Sequence, residues 1–478
     1  MELSKVLSGI FWLIAHVRCF TLTLGVTVAR SVILSRLSAI KEGMLVVSDE
    51  RGQRHVFGEP INLDDRTLEE PRKPKANGSA LVKWRRREIT SIPLRAELEV
   101  KSGTFWLRLF FFADMGFAES YMLGEVECSD LTAFFRLFIL NRNHLGNGVT
   151  FFSMIFGKVS SLTRSTNTPS NSLLNASRHY DLSNDMFAAF LSRDMTYSCP
   201  IWAPVGRGGR AESLEEAQMT KLHRFIDGAK IKSTDHVLEI GTGWGSFAIE
   251  AVRKTGCRVT TLTLSKKQKS WVEKRIAAEG LSERIKVRLM DYRELPIPEE
   301  PYDKIVSIEM IEAVGKEFLG TYFSRINELL KRNGGIAMFQ CITMPESRYE
   351  AYAKSEEFIN RYIFPGGHLP SITLLLNHIT TESHGTLIVE KVENIGGHYA
   401  RTLRLWRERF LAKFDRKIRP ALMRQRPDWT EENADVFRRM WEYYFTYCEA
   451  GFLTKTLGDV IITVGREGAT ELMEGIPL

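Results

Sequence analysis

Residues Val237–Glu250 read VLEIGTGWGSFAIE and constrain the fold more than any other stretch of the chain. An apolar run enters Gly241-Thr242-Gly243-Trp244-Gly245 and leaves into a helix-forming segment. That order predicts a strand, a tight turn and a helix whose first backbone N–H groups lack intrahelical partners. Glycine at the turn lets the backbone come close to a ligand. Such a loop suits nucleotides, flavins and S-adenosylmethionine (SAM) alike, and it also suits a βα turn with no ligand. The spacing G-x-G-x-G, in place of G-x-G-x-x-G, favours SAM.

Strand-like and helix-like segments alternate around this loop. Glu212–Phe225 has helical periodicity. It is followed by strands His236–Ile240, Arg258–Leu264, Ile285–Leu289, Lys304–Ile308 and Gly335–Ile342, with helices from Gly245, over Lys266–Ala278 and over Glu317–Leu330. A helical region to Asn377, strands Gly385–Glu393 and Asp459–Val464, and helices Tyr399–Lys413 and Asn433–Gly451 complete the pattern. Alternation of this kind predicts an α/β fold, a doubly wound parallel sheet covered on both faces, with ligands at the carboxyl ends of the strands. A dinucleotide-binding domain usually carries an acid near the end of its second strand. Here Val259–Ser265 has none and runs into Lys266-Lys267-Gln268, which counts against an NAD enzyme.

The first 41 residues are apolar and basic: after Glu2 no acid appears until Glu42, while Lys5, Arg18, Arg30, Arg36 and Lys41 interrupt the apolar run. Their longest uncharged piece, Cys19–Ala29, is shorter than the about 20 residues of a spanning helix. An interfacial amphipathic helix, a mitochondrial-type presequence and a first core helix all fit. Residues 44–62 and 94–112 read as strands flanking a charged insertion, 63–88, that contains PRKPKANGSA and KWRRR. The insertion suits a solvated loop or contact with anionic lipid headgroups. DMGFAESYMLGEVECSDLTAFFRLF reads as a loop followed by a helix. Residues 42–145 therefore form a smaller α+β domain, 146–176 a linker and 177–478 the doubly wound domain.

A net charge of +7 with a pI near 9.0 suits an anionic partner, nucleic acid or membrane surface, without choosing between them. The six cysteines, Cys19, Cys128, Cys199, Cys257, Cys341 and Cys448, show no C-x-x-C or metal-ligand spacing. That argues against a disulfide framework or a zinc site and fits a reducing compartment.

The stretches HYDLSNDMFAAFLSRDMTYSCPIW, VLEIGTGWG, TLTLSKKQ, MDYRELP, YDKIVSIEMIEAVG, YIFPGGHLPS and HYARTLRLWRERF occur in this order. Together they resemble the cyclopropane-fatty-acyl-phospholipid synthase and mycolic acid cyclopropane synthase family of SAM-dependent methyltransferases. The resemblance covers roughly Ser177 to the C-terminus, and the preceding part is similar to the accessory domain of the phospholipid-acting members. It implies a Rossmann-like methyltransferase domain whose SAM site is made by Tyr197, Ser198, Gly241, Gly243, Trp244, Gly245, Thr263, Gln268, Asp291 and Tyr292. It further implies methyl transfer to a cis double bond of a membrane phospholipid acyl chain, closing a cyclopropane ring, with a bound bicarbonate as base. Cys199, Glu312, Tyr399 and the backbone amide of Ile342 would hold that bicarbonate, Glu312 orienting it and Tyr399 donating to it. Gln340 stands where the bacterial pattern has His, and Gln cannot titrate; Ala313 stands where that pattern has a second His. Cys448 matches a cysteine described as catalytic in the family, although the mechanism needs no covalent adduct and a packing thiol fits as well. Tyr197, Phe364 and Trp406 would line the acyl tunnel or pack the core. The partners implied are unsaturated phospholipids, with no nucleic acid and, as in some members, a homodimer. The place implied is the cytoplasmic surface of a membrane, or the mitochondrion. A methyl-branched or methylene product, including one on a sphingolipid, is the competing outcome.

Overall fold

Period-two alternation in RAELEV becomes the burial pattern of a strand: Ala96, Leu98 and Val100 are buried while Arg95, Glu97 and Glu99 face solvent. The computed structural model describes residues 23–59, 94–145, 184–204, 212–355 and 357–477. The chain divides into two units, Met1–Phe156 and Gly157–Leu478.

In the first unit, β1 (Met44–Ser48), β2 (Arg54–Phe57), β3 (Arg95–Val100) and β4 (Val126–Cys128) form a sheet in the order β2-β1-β3-β4. β1 is parallel to β3, and the two outer pairs are antiparallel. The aromatic run expected to continue as a strand to residue 112 is instead helical: Thr104–Met122 is a helix broken at Ala113, and it takes in the DMGFAES segment expected as a loop. Aromatic residues favour strands only where a sheet face receives them. Here Phe105, Trp106 and Phe117 are buried, Trp106 Nε1 donates to Glu50 at 2.8 Å, and Phe117 stacks on Phe134 at 4.4 Å. Residues 23–37 are helical, bury Ala29, Ile33 and Leu37, and pair Arg30 with Glu50 at 3.0 Å. The described part of the first 41 residues is thus a helix that buries one set of apolar side chains in this unit and leaves Leu24, Val28 and Val32 exposed. Residues 1–22, the insertion 63–88 and the linker 146–176 lie outside the described residues.

The second unit holds β5 (His236–Ile240), β6 (Arg258–Thr263), β7 (Ile285–Leu289), β8 (Lys304–Ile308), β9 (Ile336–Thr343), β10 (Ile388–Asn394) and β11 (Gly458–Gly465). Their order is β10-β11-β9-β8-β5-β6-β7. β5 to β9 are parallel, and β11 runs antiparallel to both β9 and β10. The chain leaves β5 towards β6 and returns to its other side at β8, so a crevice opens above the carboxyl ends of β5 and β8. The glycine loop and the segment after Ile308 both lie there. Leu238, Ile305, Phe339 and Ile462 of the sheet pack with Phe323 and Ile326 of helix Leu319–Leu329 in one buried cluster. Among the described residues no helix is long and apolar enough to cross a membrane.

Close packing dictates one of the loop glycines. Gly245 has φ 85°, and a Cβ there would sit 2.7 Å from Val272 Cγ1 on helix Lys266–Ala278. Gly245→Ala is expected to cost about 2 kcal/mol or more, from the left-handed backbone and the overpacking together. Thermal denaturation checks this, with Val272→Ala in the same chain recovering part of the loss.

Candidate functional site

Three glycines shape the first wall of the crevice. Gly241, Gly243 and Gly245 have φ of 106°, 51° and 85°, in the region side chains disfavour. The amides of Gly241 and Thr242 both donate to the Leu262 carbonyl, at 3.1 and 2.9 Å, which turns the chain back over β6. A Cβ at Gly241 would approach Met310 to 3.1 Å, whereas one at Gly243 would meet nothing within 4 Å. A side chain at Gly243 would therefore fill open space above the loop. Beneath the loop, Thr242 Oγ1 and Thr261 Oγ1 lie 2.6 Å apart, and Thr261 Oγ1 donates to Glu239 at 2.5 Å. Burial pushes the Glu239 carboxyl up to about 8, so it is held largely as the acid at neutral pH.

The ends of β6 and β7 carry the neutral and aromatic residues expected for SAM. Thr263 Oγ1 donates to Gln268 Oε1 at 2.8 Å, and Ser265 caps the helix that begins at Lys266. Asp291 receives Arg293 in a bidentate pair, Nε at 2.8 Å and Nη2 at 2.7 Å. The Arg293 guanidinium in turn lies over the rings of Tyr292 and Phe318. Trp244 Nε1 donates to Asn184 at 3.0 Å. A cradle of glycines at one strand end, with hydroxyl and amide groups at the next and an acid and aromatic at the third, fits a SAM molecule. Tyr197 enters from the segment before the sheet, 5.1 Å from Trp406 and 6.5 Å from Phe364 between ring centres, with its hydroxyl 3.0 Å from that of Tyr444. Trp406 is fully buried and so packs the core behind this aromatic wall.

On the other side of the crevice lies a cluster of acids that sequence reading only half identified. Glu309 follows β8 with φ 48°. Its carboxylate accepts the Cys199 amide at 2.7 Å, Gln340 Nε2 at 2.7 Å and the Tyr399 hydroxyl at 2.7 Å. Gln340 Nε2 also reaches Asp459 Oδ2 at 2.9 Å and the Cys199 carbonyl at 3.3 Å. Glu312, one turn on, accepts the Ile342 amide through Oε1, while its buried Oε2 has no hydrogen-bond partner. Burial, then the nearby Glu309 charge, push Glu312 up to about 8; burial and the same charge raise Asp459 well above the carboxylate range. Ser198 Oγ accepts from Lys221 Nζ at 2.6 Å, and burial pulls this fully buried lysine down.

The three donors that the resemblance assigns to a bicarbonate, and Gln340 beside them, are thus already engaged. The amide of Cys199, the amide of Gln340 and the hydroxyl of Tyr399 serve Glu309, and the amide of Ile342 serves Glu312. A further anion would also sit among Glu309, Glu312 and Asp459. With these donors engaged, the residues present do not fit bicarbonate as a further anion. Cys199 is fully buried and its thiol is pushed well up by burial and by Asp459 and Glu309, so it contributes its backbone, not a thiolate. Cys448 lies one turn beyond Tyr444 on helix Glu431–Leu453, burial raises its thiol too, and none of the contacts to Glu309 comes from it. Glu309, Asp459, Lys221 and Glu239 escaped the sequence reading. Glu309 and Asp459 did leave a signal: each is an acid at the end of an otherwise apolar strand.

Glu239 provides a direct check. Its carboxyl titrates near 4.5 when the chain is unfolded and near 8 when folded, so between these values the folded state holds the extra proton and stability falls as pH rises. The slope from this group is up to about 1.4 kcal/mol per pH unit. Denaturant unfolding from pH 5 to 8 is expected to show Glu239→Gln gaining on the wild type as pH rises; parallel profiles would contradict the assignment.

The profile of the mycolic acid cyclopropane synthetase family matches residues 167–461. The tuberculostearic acid methyltransferase of Mycobacterium tuberculosis is 36% identical over 83% of this chain and 94% of its own length. The cyclopropane-fatty-acyl-phospholipid synthase of Escherichia coli is 30% identical over 78% and 89%. The Candida albicans sphingolipid C9-methyltransferase is 34% identical over 50% and 46%. Among solved structures, that of mycolic acid cyclopropane synthase CmaA1 with SAH and CTAB aligns with a TM-score of 0.51 at 28% identity, covering 62% of this chain and 98% of that one. With its seven-stranded doubly wound sheet and a family match across most of the second unit, the chain belongs to the mycolic acid cyclopropane synthetase family of SAM-dependent methyltransferases.

Proposed function

We propose that this chain transfers the methyl group of SAM to the cis double bond of an unsaturated acyl chain in a membrane phospholipid, giving a cyclopropane ring. The observation that carries this reading is the pairing of a glycine-lined crevice with a wall of aromatic rings and, opposite, a hydrogen-bonded carboxylate. SAM, when bound, supplies an electrophilic methyl group, and its transfer leaves positive charge on the acyl chain. An alkene is a weak nucleophile, so orientation and exclusion of water carry much of the catalysis. Gly241, Gly243, Trp244 and Gly245 would face the methionine and ribose with backbone, Thr263 and Gln268 would bond neutral oxygens, and Asp291 with Tyr292 would hold the adenine. Ser198, fixed by Lys221, would meet the methionine carboxylate. The faces of Tyr197 and Phe364 would stabilise the passing cation. Peripheral contact with an anionic membrane surface accords with the net charge of +7.

A second reading keeps the donor and the double bond but ends in a methylene or methyl-branched chain. The 36% identity to a tuberculostearic acid methyltransferase favours it, as does the engagement of the Cys199, Tyr399 and Ile342 donors by Glu309 and Glu312. Gas chromatography–mass spectrometry of lipids from a host expressing the chain separates the two. Unsaturated acyl chains heavier by one CH₂ and resistant to hydrogenation as an alkene are expected for the ring. A hydrogenatable or branched product supports the second reading, and unchanged lipids would end both.

A further inference from the structure

We infer that Glu309 is the base of this reaction, a carboxylate of the chain itself taking the place that resemblance assigns to a bound bicarbonate. The inference rests on the methyl-transfer reading. Three observations carry it.

The first is the donor set. The Cys199 amide, Gln340 Nε2 and the Tyr399 hydroxyl converge on the Glu309 carboxylate, each at 2.7 Å, from segments 110, 31 and 90 residues away. A planar anion with oxygens in that position is what those donors recognise, and the side chain provides it covalently.

The second is the backbone. Glu309 has φ 48°, a left-handed backbone that a non-glycine residue keeps only where surrounding contacts over-determine it. The unusual conformation aims the carboxylate into the cluster while its amide bonds the Gln340 carbonyl at 2.9 Å.

The third is access. Cys199, Gln340 and Asp459 are fully buried, whereas Glu309 and Glu312 are half-buried; of these two, Glu312 has its second oxygen buried without a partner. Burial raises the Glu309 carboxyl, which strengthens it as a base. Asp459 is fully enclosed, and burial and the Glu309 charge raise it well above the carboxylate range, which favours its neutral form. Gln340 between them donates to both and cannot compete for the proton.

The step balances without a co-reactant. Once the acyl chain has gained the methyl group and carries a carbocation beside it, a Glu309 oxygen lone pair takes one proton from that methyl. The released C–H electron pair forms the third carbon–carbon bond of the ring, or the double bond of a methylene product after a hydride shift along the chain. Nothing is oxidised or reduced overall. Glu309, now neutral, returns its proton to solvent before the next turnover.

The test uses the full chain with Glu309→Gln and Glu309→Gly, radiolabelled SAM, dioleoyl-phospholipid vesicles, and buffer freed of bicarbonate. Glycine suits the left-handed φ, so that variant opens the anion position without backbone strain. Wild-type turnover is expected to be indifferent to millimolar bicarbonate. Both variants are expected to lose ~100-fold or more, as loss of a general base does, while the affinity for S-adenosylhomocysteine, read by calorimetry, stays within about threefold. Added bicarbonate or formate should restore part of the activity of the glycine variant and none of that of the glutamine variant. A wild type that fails without bicarbonate, or a glutamine variant with full turnover, would overturn the assignment. Binding of ¹³C-bicarbonate read by NMR needs no lipid: the glycine variant is expected to retain it and the wild type not, and retention by the wild type would overturn the assignment equally. If the wild type methylates no unsaturated lipid, the methyl-transfer reading fails, and the NMR result still decides what occupies the anion position.

Discussion

The Glu309 carboxylate is the contact on which the catalytic face depends. It ties the segment around Cys199, strand β9 through Gln340, and helix Gly397–Lys413 through Tyr399 to the end of β8. A half-buried carboxylate is stable only with its oxygens hydrogen-bonded, and those bonds recruit groups from three distant parts of the chain. The same bonds hold the Tyr197–Ser198 segment beside the glycine loop, because Cys199 follows it directly. A single acid thus sets the spacing between the aromatic wall and the strand ends.

Around it the protein keeps most other acids neutral. Asp459 and Glu312 are raised by burial and by Glu309 itself, and Glu239 is raised by burial alone under the glycine loop. Lys221, buried with Ser198, supplies positive charge and is itself pulled down. Low dielectric makes each additional ionisation unfavourable, so charge concentrates on the acid with the most donors. That arrangement separates the one carboxylate that gathers three donors from three that burial favours as neutral acids.

Much of the fold was legible because hydrophobic periodicity is local. The boundaries of β5, β7, β8 and helix Lys266–Ala278 follow directly from apolar runs and the Ser265 cap. The run Phe105–Phe112 misled for the opposite reason. Its aromatic density suits a strand, but Phe105 packs edge-on against Phe117, whose ring stacks on Phe134, and sequence carries no record of that surface. Residues 1–41 left several roles open in the sequence, and helix 23–37 buries Ala29, Ile33 and Leu37 while leaving Leu24, Val28 and Val32 exposed.

By itself the sequence determined the strand–loop–helix around Gly241–Gly245, the alternation that makes a doubly wound sheet, and the absence of an acid on the second strand, because each depends on neighbours a few residues apart. It also named Cys199, Glu312, Gln340, Ile342 and Tyr399 as companions, by their place in ordered motifs. Only the tertiary structure decided what these groups hold. The donors of Cys199, Gln340 and Tyr399 lie up to 110 residues from the carboxylate they serve, and they meet it only once β8, β9 and the helix after β10 are packed together with Glu309 in its left-handed backbone.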